Sequence, residues 1–352
     1  RMTEDLRERI GRAEAFAAFR MPFDNEFTVV MQRGMGAFVS DSVAELAGRR
    51  GFVMVPFSLG RKWPVVMVRP DDVVRTHVPD AWGESMLSSG LCSDSGRKVY
   101  EQAFEAFHGA VSCGEFDKLV LSRCSERHLE GGNLLDSFIK ACHMYPRMMV
   151  YLCRTAEGGV WFGCTPEILL SGRRSHYSTV ALAGTMSVPE SDTRTVEWST
   201  KNVEEQRIVA DYIRQKLHGY ADVIEEEGPY TSRAGHLIHL KTVFHFTPAK
   251  TGFIPSLVEE LYPTPAVCGL PKEKAKRFIE ENEGYDRGYY AGIVGMLDET
   301  GDTELYVNLR CARIDGRVAH LYAGGGILPT SELEQEWTET EEKLKTIGNV
   351  FR

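Results

Sequence analysis

Apolar and polar positions trade places over short runs along much of this chain, many of them with a period of two. The runs are FTVVMQ (27–32), GFVMVPFS (51–58), WPVVMVRP (63–70), DKLVLSR (117–123), MMVYLCR (148–154), GVWFGC (159–164), EILLSG (167–172), AGIVGML (291–297), LYVNLRCARI (305–314) and VAHLYAGG (318–325). Each is predicted to be a strand. Helical periodicity is read over about 3–18, 94–111, 132–144, 199–218, 255–261, 271–282 and 331–349. Strands arrive in clusters divided by single helices, a pattern that predicts an α+β layered fold and disfavours a Rossmann sheet or a (β/α)₈ barrel. No fixed-period repeat appears, and no Pro/Gly/Ser-rich linker is long enough to separate domains.

Composition narrows the function. The 352 residues are 43% apolar and 26% charged, enough for a large core. A formal charge of -9 with scattered basic residues argues against nucleic acid as a partner. No apolar run approaches the ~18 residues that cross a bilayer, and RMTEDLRERIGRAEAF has no apolar signal core, so no membrane association and a cytoplasmic location are expected. Cys92, Cys113, Cys124, Cys142, Cys153, Cys164, Cys268 and Cys311 form no C-x-x-C pair and read as reduced packing residues. His236 and His239 have a spacing that zinc could use, but no third ligand follows. AGGGI lacks the glycine order of a dinucleotide site.

Some carboxylates fall on the inward face. In STKNVEEQRIVADYIRQKL, Ser199 is the expected N-cap. The stripe of Ile208, Val209, Tyr212 and Ile213 also takes in Asn202 and Glu205. A buried Glu205 needs a partner, an arginine or a metal. Ser331 and Glu334 make a capping-box pattern. Beyond them Glu336, Glu339 and Lys343 share one side of a helix, bordering Trp337, Leu344 and Ile347. They are a solvated flank or, together with Glu205, a carboxylate set suited to Mg²⁺. Lys118 begins an apolar strand, as an edge gatekeeper or as a base facing an enclosed site. Glu167 follows Pro166 and is a desolvated acid or an exposed turn residue. Arg310 lies mid-strand and calls for an internal acid or a ligand carboxylate.

The blocks DKLVLSR, GCTPEILL, ALAGT, KNVEEQRIV, LIHLKT, YPTPAVCGLP, YDRGYYAGIVG, LYVNLRCARI and LYAGGGI…EWTETEEKLK stand in the order and spacing of the chorismate-utilising enzymes. The chain resembles that family strongly over residues 115–352 and loosely over 1–114. The resemblance implies one large domain over 1–352, with two stacked, mostly antiparallel sheets wrapped by helices and a Mg²⁺ site between them. Glu205 and Glu339 resemble the metal ligands, with Glu336 contributing directly or through water. Asn202 stands where some relatives have an acid, and Gln206 where many have histidine. Gly324 and Gly326 resemble the glycines that lie against substrate. Thr185 and His239 resemble contacts to the ring carboxylate of chorismate, and Tyr290 and Arg310 the clamp on its enolpyruvyl carboxylate. Lys343 resembles the lysine beside metal and carboxylates.

Three positions separate the family's activities. Lysine at the Lys118 position implies water as the nucleophile, since amine-using relatives carry glutamine there. Ala183 stands where aminodeoxychorismate synthases place a nucleophilic lysine. Ala266 resembles isochorismate synthases, whereas salicylate synthases commonly have threonine. The activity implied is conversion of chorismate to isochorismate, with Lys118 as base, Glu167 as acid, Mg²⁺ as cofactor and no glutaminase subunit. The implied pathway is menaquinone biosynthesis. The alternatives are a siderophore-pathway isochorismate synthase, a salicylate synthase that goes on to eliminate pyruvate, an ammonia-using synthase and a non-catalytic binder of aromatic dicarboxylates.

Overall fold

The computed structural model describes residues 4–34, 36–60, 62–89, 95–188, 196–234 and 236–352. Among them, one sheet has ten strands and a second has nine, and every strand pairing is antiparallel. Next to the short edge strand Gly269–Leu270 of the first sheet, Lys118–Glu130 lies beside Val318–Ile327, followed by Cys311–Asp315, Gly159–Thr165 and Met149–Thr155. The second runs from Ala221–Ala234 through Leu237–Pro248, His176–Ser187, Ile168–Arg173, Asp302–Val307 and Ile293–Asp298 to the strands of residues 38–68. This is the α+β architecture expected. Phe52 of the second sheet packs between Phe19 and Tyr151 of the first, with ring centroids 5.2 and 6.1 Å away, so a shared apolar core joins the faces. A second core lies on the outer side of the first sheet, beneath helices Glu4–Arg12, Leu134–Met144 and Leu333–Gly348.

Covering both faces explains the sequence pattern. Val65–Val68 is buried at every position, whereas Asp72–His77 at a sheet edge alternates half-buried and exposed. Six of the seven expected helices come close to their bounds, but the N-terminal one is shorter. It stops at Arg12, and Ala15–Arg20 becomes a strand buried at every position; AFAAF satisfies a doubly covered strand as well as a helix. Ser199 caps its helix by accepting from Asn202 N at 3.2 Å. Ser331 does not cap: its hydroxyl accepts from Leu328 N, and Glu334 pairs with Arg97. Seven cysteines are free, five of them buried. Cys92, with residues 3 and 94 of the predicted helices, lies outside the described residues. Among the described residues no helix is long and apolar enough to cross a membrane.

LYVNLRCARI is two strands, not one. Asp302–Val307 belongs to the second sheet and Cys311–Asp315 to the first, and the chain crosses between them at Asn308, Leu309 and Arg310. Asn308, fully buried, holds the crossing: its side chain accepts from Tyr151 OH at 2.7 Å and donates to Tyr289 O at 3.0 Å. Arg310 takes φ 48°, in the left-handed region, which side chains other than glycine adopt only when their surroundings impose it.

Candidate active site

The crossing places Arg310 in a cleft between the sheets, with about 570 Å³ of space including its mouth. Glu167, Thr185, Glu205, His239, Ala266, Tyr290, Arg310, Gly324, Gly326 and Lys343 all line it, residues drawn from both sheets, two helices and four loops. Val120, Leu182, Ala183, Val267, Leu309 and Tyr322 supply further walls that sequence reasoning did not single out as contacts. Apart from Ala183, read above only for the lysine it replaces, their apolar character carried no signal beyond core.

The three glycines of Val318–Ile327 mark where backbone must come close. A Cβ on Gly326 would fall 2.2 Å from Glu205 Oε1 and 2.7 Å from Lys118 Cε, and one on Gly324 would fall 2.9 Å from Tyr290 OH. On Gly325 it would stand 3.1 Å from Glu336 Oε2 and 3.2 Å from Glu339 Oε1. Backbone therefore separates the cleft from the carboxylates of helix Leu333–Gly348. Glu336 and Glu339 line an adjoining cavity with Lys201 and Asn202.

Lys118 is fully buried and sits behind Gly326, so the edge-gatekeeper reading does not hold. Its Nζ forms an ion pair with Glu205 Oε1 at 2.9 Å, without hydrogen-bond alignment. Glu339 pairs with Lys343 at 2.6 Å, and Glu336 with Lys201 at 2.6 Å. Lys201 went unread in the sequence, although it stands four positions before Glu205 on the same helix face. The carboxylates are thus buried or half-buried, not a solvated flank.

Electrostatics divides these acids. Burial raises the Glu167 carboxyl to about 8, against the nearby charges of Lys118, Arg310 and Lys343. Burial pushes Glu205 upward too, but Lys118 and Lys201 outweigh it and its net shift is downward. Burial, then the charge of Glu339, raises Glu336 to about 7 despite Lys201. Two similar side chains, Glu167 and Glu205, therefore hold opposite protonation states in one cleft.

Burial, with the charges of Arg310 and Lys343, lowers His239 well below its ordinary value. Arg310 has only donors, so its Nη2, 3.2 Å away, gives the hydrogen bond and His239 Nε2 accepts. Nδ1 then carries the proton and donates to Gly184 O at 3.2 Å, with Thr185 Oγ1 also 3.2 Å away. Arg310 Nη1 is buried and has no protein partner. An unpaired guanidinium nitrogen opening on a cleft is a seat for an anionic oxygen. His236, by contrast, turns away and bonds Glu342 O at 3.0 Å.

Among the described residues, no three His, Cys, Asp or Glu side chains converge as they stand into a metal-holding group. Two observations nevertheless suit a cation here. Glu336 Oε2 is buried without a partner, and burial, with the charge of Glu339 beside it, raises the Glu336 carboxyl. Hard oxygens in that state match a hard divalent ion. Helix Leu333–Gly348 is anchored by Trp337, whose ring lies between Arg97 and Arg123 at 4.9 and 3.8 Å.

Comparison with known proteins gives this arrangement a family. A family profile described as "Chorismate binding enzyme" matches residues 81–352. Isochorismate synthase EntC of Escherichia coli (strain K12) is 31% identical over 264 residues, covering 72% of this chain and 67% of the relative. The salicylate biosynthesis isochorismate synthase of Pseudomonas aeruginosa is 30% identical over 276 residues, covering 76% of this chain and 58% of the relative. Menaquinone-specific isochorismate synthase MenF from Escherichia coli superposes with a TM-score of 0.82 over 100% of this chain and 92% of its own. At 21% identity that superposition shows a common fold.

Proposed function

This chain belongs to the chorismate binding enzymes, and we propose that it is an isochorismate synthase, a Mg²⁺-dependent isomerase whose product enters menaquinone biosynthesis. The observation that carries the reading is Glu167, a carboxyl that burial keeps protonated up to about pH 8 beside the charges of Lys118 and Arg310. Adding a hydroxyl at C2 of chorismate while losing one from C4 needs a base and an acid at separate points of one ring.

Lys118 is the proposed base. Once its nitrogen is free of its extra proton, it takes one from water as the oxygen bonds to C2. The ring double bonds shift, the C4–O bond breaks, and Glu167 gives its proton to the leaving hydroxyl, which departs as water. Arg310 Nη1, unpaired in the cleft, supports a clamp on the enolpyruvyl carboxylate together with Tyr290. Thr185 and His239 are proposed to meet the ring carboxylate, and Lys343 to lend it positive charge. Gly324 and Gly326 leave room for the ring against the backbone. Glu205, Glu336 and Glu339 would hold Mg²⁺, which when bound would draw electron density toward the ring carboxylate.

The test is product analysis of the purified chain with chorismate, with and without Mg²⁺ and with added ammonium. Isochorismate formed only with Mg²⁺ is expected. Salicylate with pyruvate would reassign the chain to the pyruvate-eliminating relatives, and anthranilate would remove Lys118 from its role. Chorismate binding without conversion would make the protein a non-catalytic binder.

A further inference from the structure

We propose that Glu283 and Arg287, neither of which lines the cleft, are positioning residues that fix the strand of Lys118 against the wall of Ala266. The inference rests on the reading of the cleft as a chorismate site. Both side chains are buried and form a two-pronged pair: Arg287 Nε and Nη2 each meet Glu283 at 2.6 Å. The remaining contacts reach outward. Arg287 Nη2 donates to Val120 O at 2.9 Å and Nη1 to Val267 O at 2.7 Å. Val120 lies two residues beyond Lys118, Val267 lies one beyond Ala266, and both line the cleft. Glu283 Oε1 also accepts from Ser122 N and Ser122 Oγ, each at 2.7 Å. Ser122 faces Gly324 across the strand pair. One guanidinium thus ties three segments whose separation sets the cleft's width beside the proposed base.

The chemistry favours geometry over stability as the reason for this pair. Replacing a buried ion pair with apolar groups of similar volume is often neutral or stabilising. What apolar groups cannot supply is five donors at fixed angles, and lysine, a single point charge, cannot reproduce the fork either. Arg20 provides a built-in comparison. It is also buried and donates to four carbonyl oxygens, of Met21, Cys142, Tyr145 and Pro146, none of which lines the cleft.

Of the groups proposed to hold the substrate's carboxylates, Thr185, His239 and Arg310 sit on other segments that Arg287 does not touch, whereas Tyr290 donates its backbone N–H to Arg287 O at 3.0 Å and holds its ring 5.7 Å from the guanidinium. The backbone bond to Tyr290 does not depend on the Arg287 side chain, so loosening the pair should move the base and leave most of the grip on substrate intact. The experiment compares Arg287→Lys with Arg20→Lys, measuring melting temperature, kcat and KM for chorismate beside the parent. Both variants are expected to melt lower, but only Arg287→Lys should lose turnover, roughly 10- to 100-fold in kcat with KM little changed, as for a displacement on the order of 1 Å. Should Arg287→Lys not fold, Glu283→Gln, which keeps the fork's donors, carries the same comparison. Equal kinetics in the Arg287 (or Glu283) and Arg20 variants would overturn the proposal. A parent enzyme that forms no isochorismate would instead overturn the activity on which it rests.

Discussion

Replacing Gly326 with alanine tests the claim that backbone, not side chain, must occupy the space between Lys118 and Glu205. The new Cβ would stand 2.2 Å from Glu205 Oε1 and 2.7 Å from Lys118 Cε. Ordinary contact begins near 3.4 Å, so the carboxylate oxygen or the strand must yield by more than 1 Å. Neither is free to do so cheaply. Glu205 is held in its pair with Lys118 at 2.9 Å, and Gly326 is registered opposite Val120. Overpacking of this kind costs about 1–3 kcal/mol, and parting the buried charges adds to it. At about 2 kcal/mol, the melting temperature of a chain this long should fall by roughly 2–4 °C. Turnover should fall about 100-fold, since the displaced groups are the proposed base and a proposed metal ligand. Scanning calorimetry and a continuous isochorismate assay read the two effects separately. Gly325→Ala is the comparison: its Cβ would meet Glu336 and Glu339 at 3.1 and 3.2 Å, which a shift of a few tenths of an ångström relieves, so its losses should be smaller. A Gly326→Ala enzyme that melts and turns over like its parent would refute the reasoning.

Two further predictions follow from charge and anchoring. Glu167→Gln should lower turnover by roughly 10²–10⁴, and the parent's rate should fall as pH rises through about 8, where Glu167 loses its proton. The same raised carboxyl costs stability progressively as pH climbs from 4.5 toward 8, so Glu167→Gln should melt higher than the parent at pH 8 while working more slowly; an unchanged melting temperature there would contradict the burial argument. Trp337→Leu removes the ring between Arg97 and Arg123, a loss of about 0.5–2 kcal/mol per contact. Because that helix carries Glu336 and Glu339, a Mg²⁺ titration of activity should shift to higher concentration, and an unmoved titration would show that the anchor does not set the carboxylates.

How far the sequence revealed this arrangement depended on whether one residue's period or two distant segments decided the matter. Glu205 could be read as inward because a helix repeats its faces, and the burial is as read. Lys118 could not be settled that way. Its face is fixed by Val318–Ile327 beside it, some two hundred residues away in sequence. Ala221–Ala234 escaped notice as a strand because it is mostly exposed and held by pairing with Leu237–Pro248 instead of by burial. The break at Arg310 was hidden because both flanking strands are apolar, and only their assignment to different sheets requires the turn. Glu283 and Arg287 look like an ordinary i, i+4 surface pair; their burial comes from segments that meet them in space. The resemblance to a family supplied what periodicity lacked, since it encodes which distant segments meet.

The pairing of Lys118–Glu130 with Val318–Ile327 also has a consequence in time. Leu119 opposes Ile327, 208 positions later in the chain, and at a synthesis rate of ~5–20 residues per second that partner emerges about 10–40 s afterwards. Until then the side of the Lys118 strand that will join it to the rest of its sheet stands unpaired, the kind of edge on which wrong partners assemble. Contacts so remote along the chain also slow folding itself. The cleft is among the last parts of the molecule to form, so a ribosome-bound fragment ending before the glycine strand should hold a recognisable core and still be unable to bind its ligand.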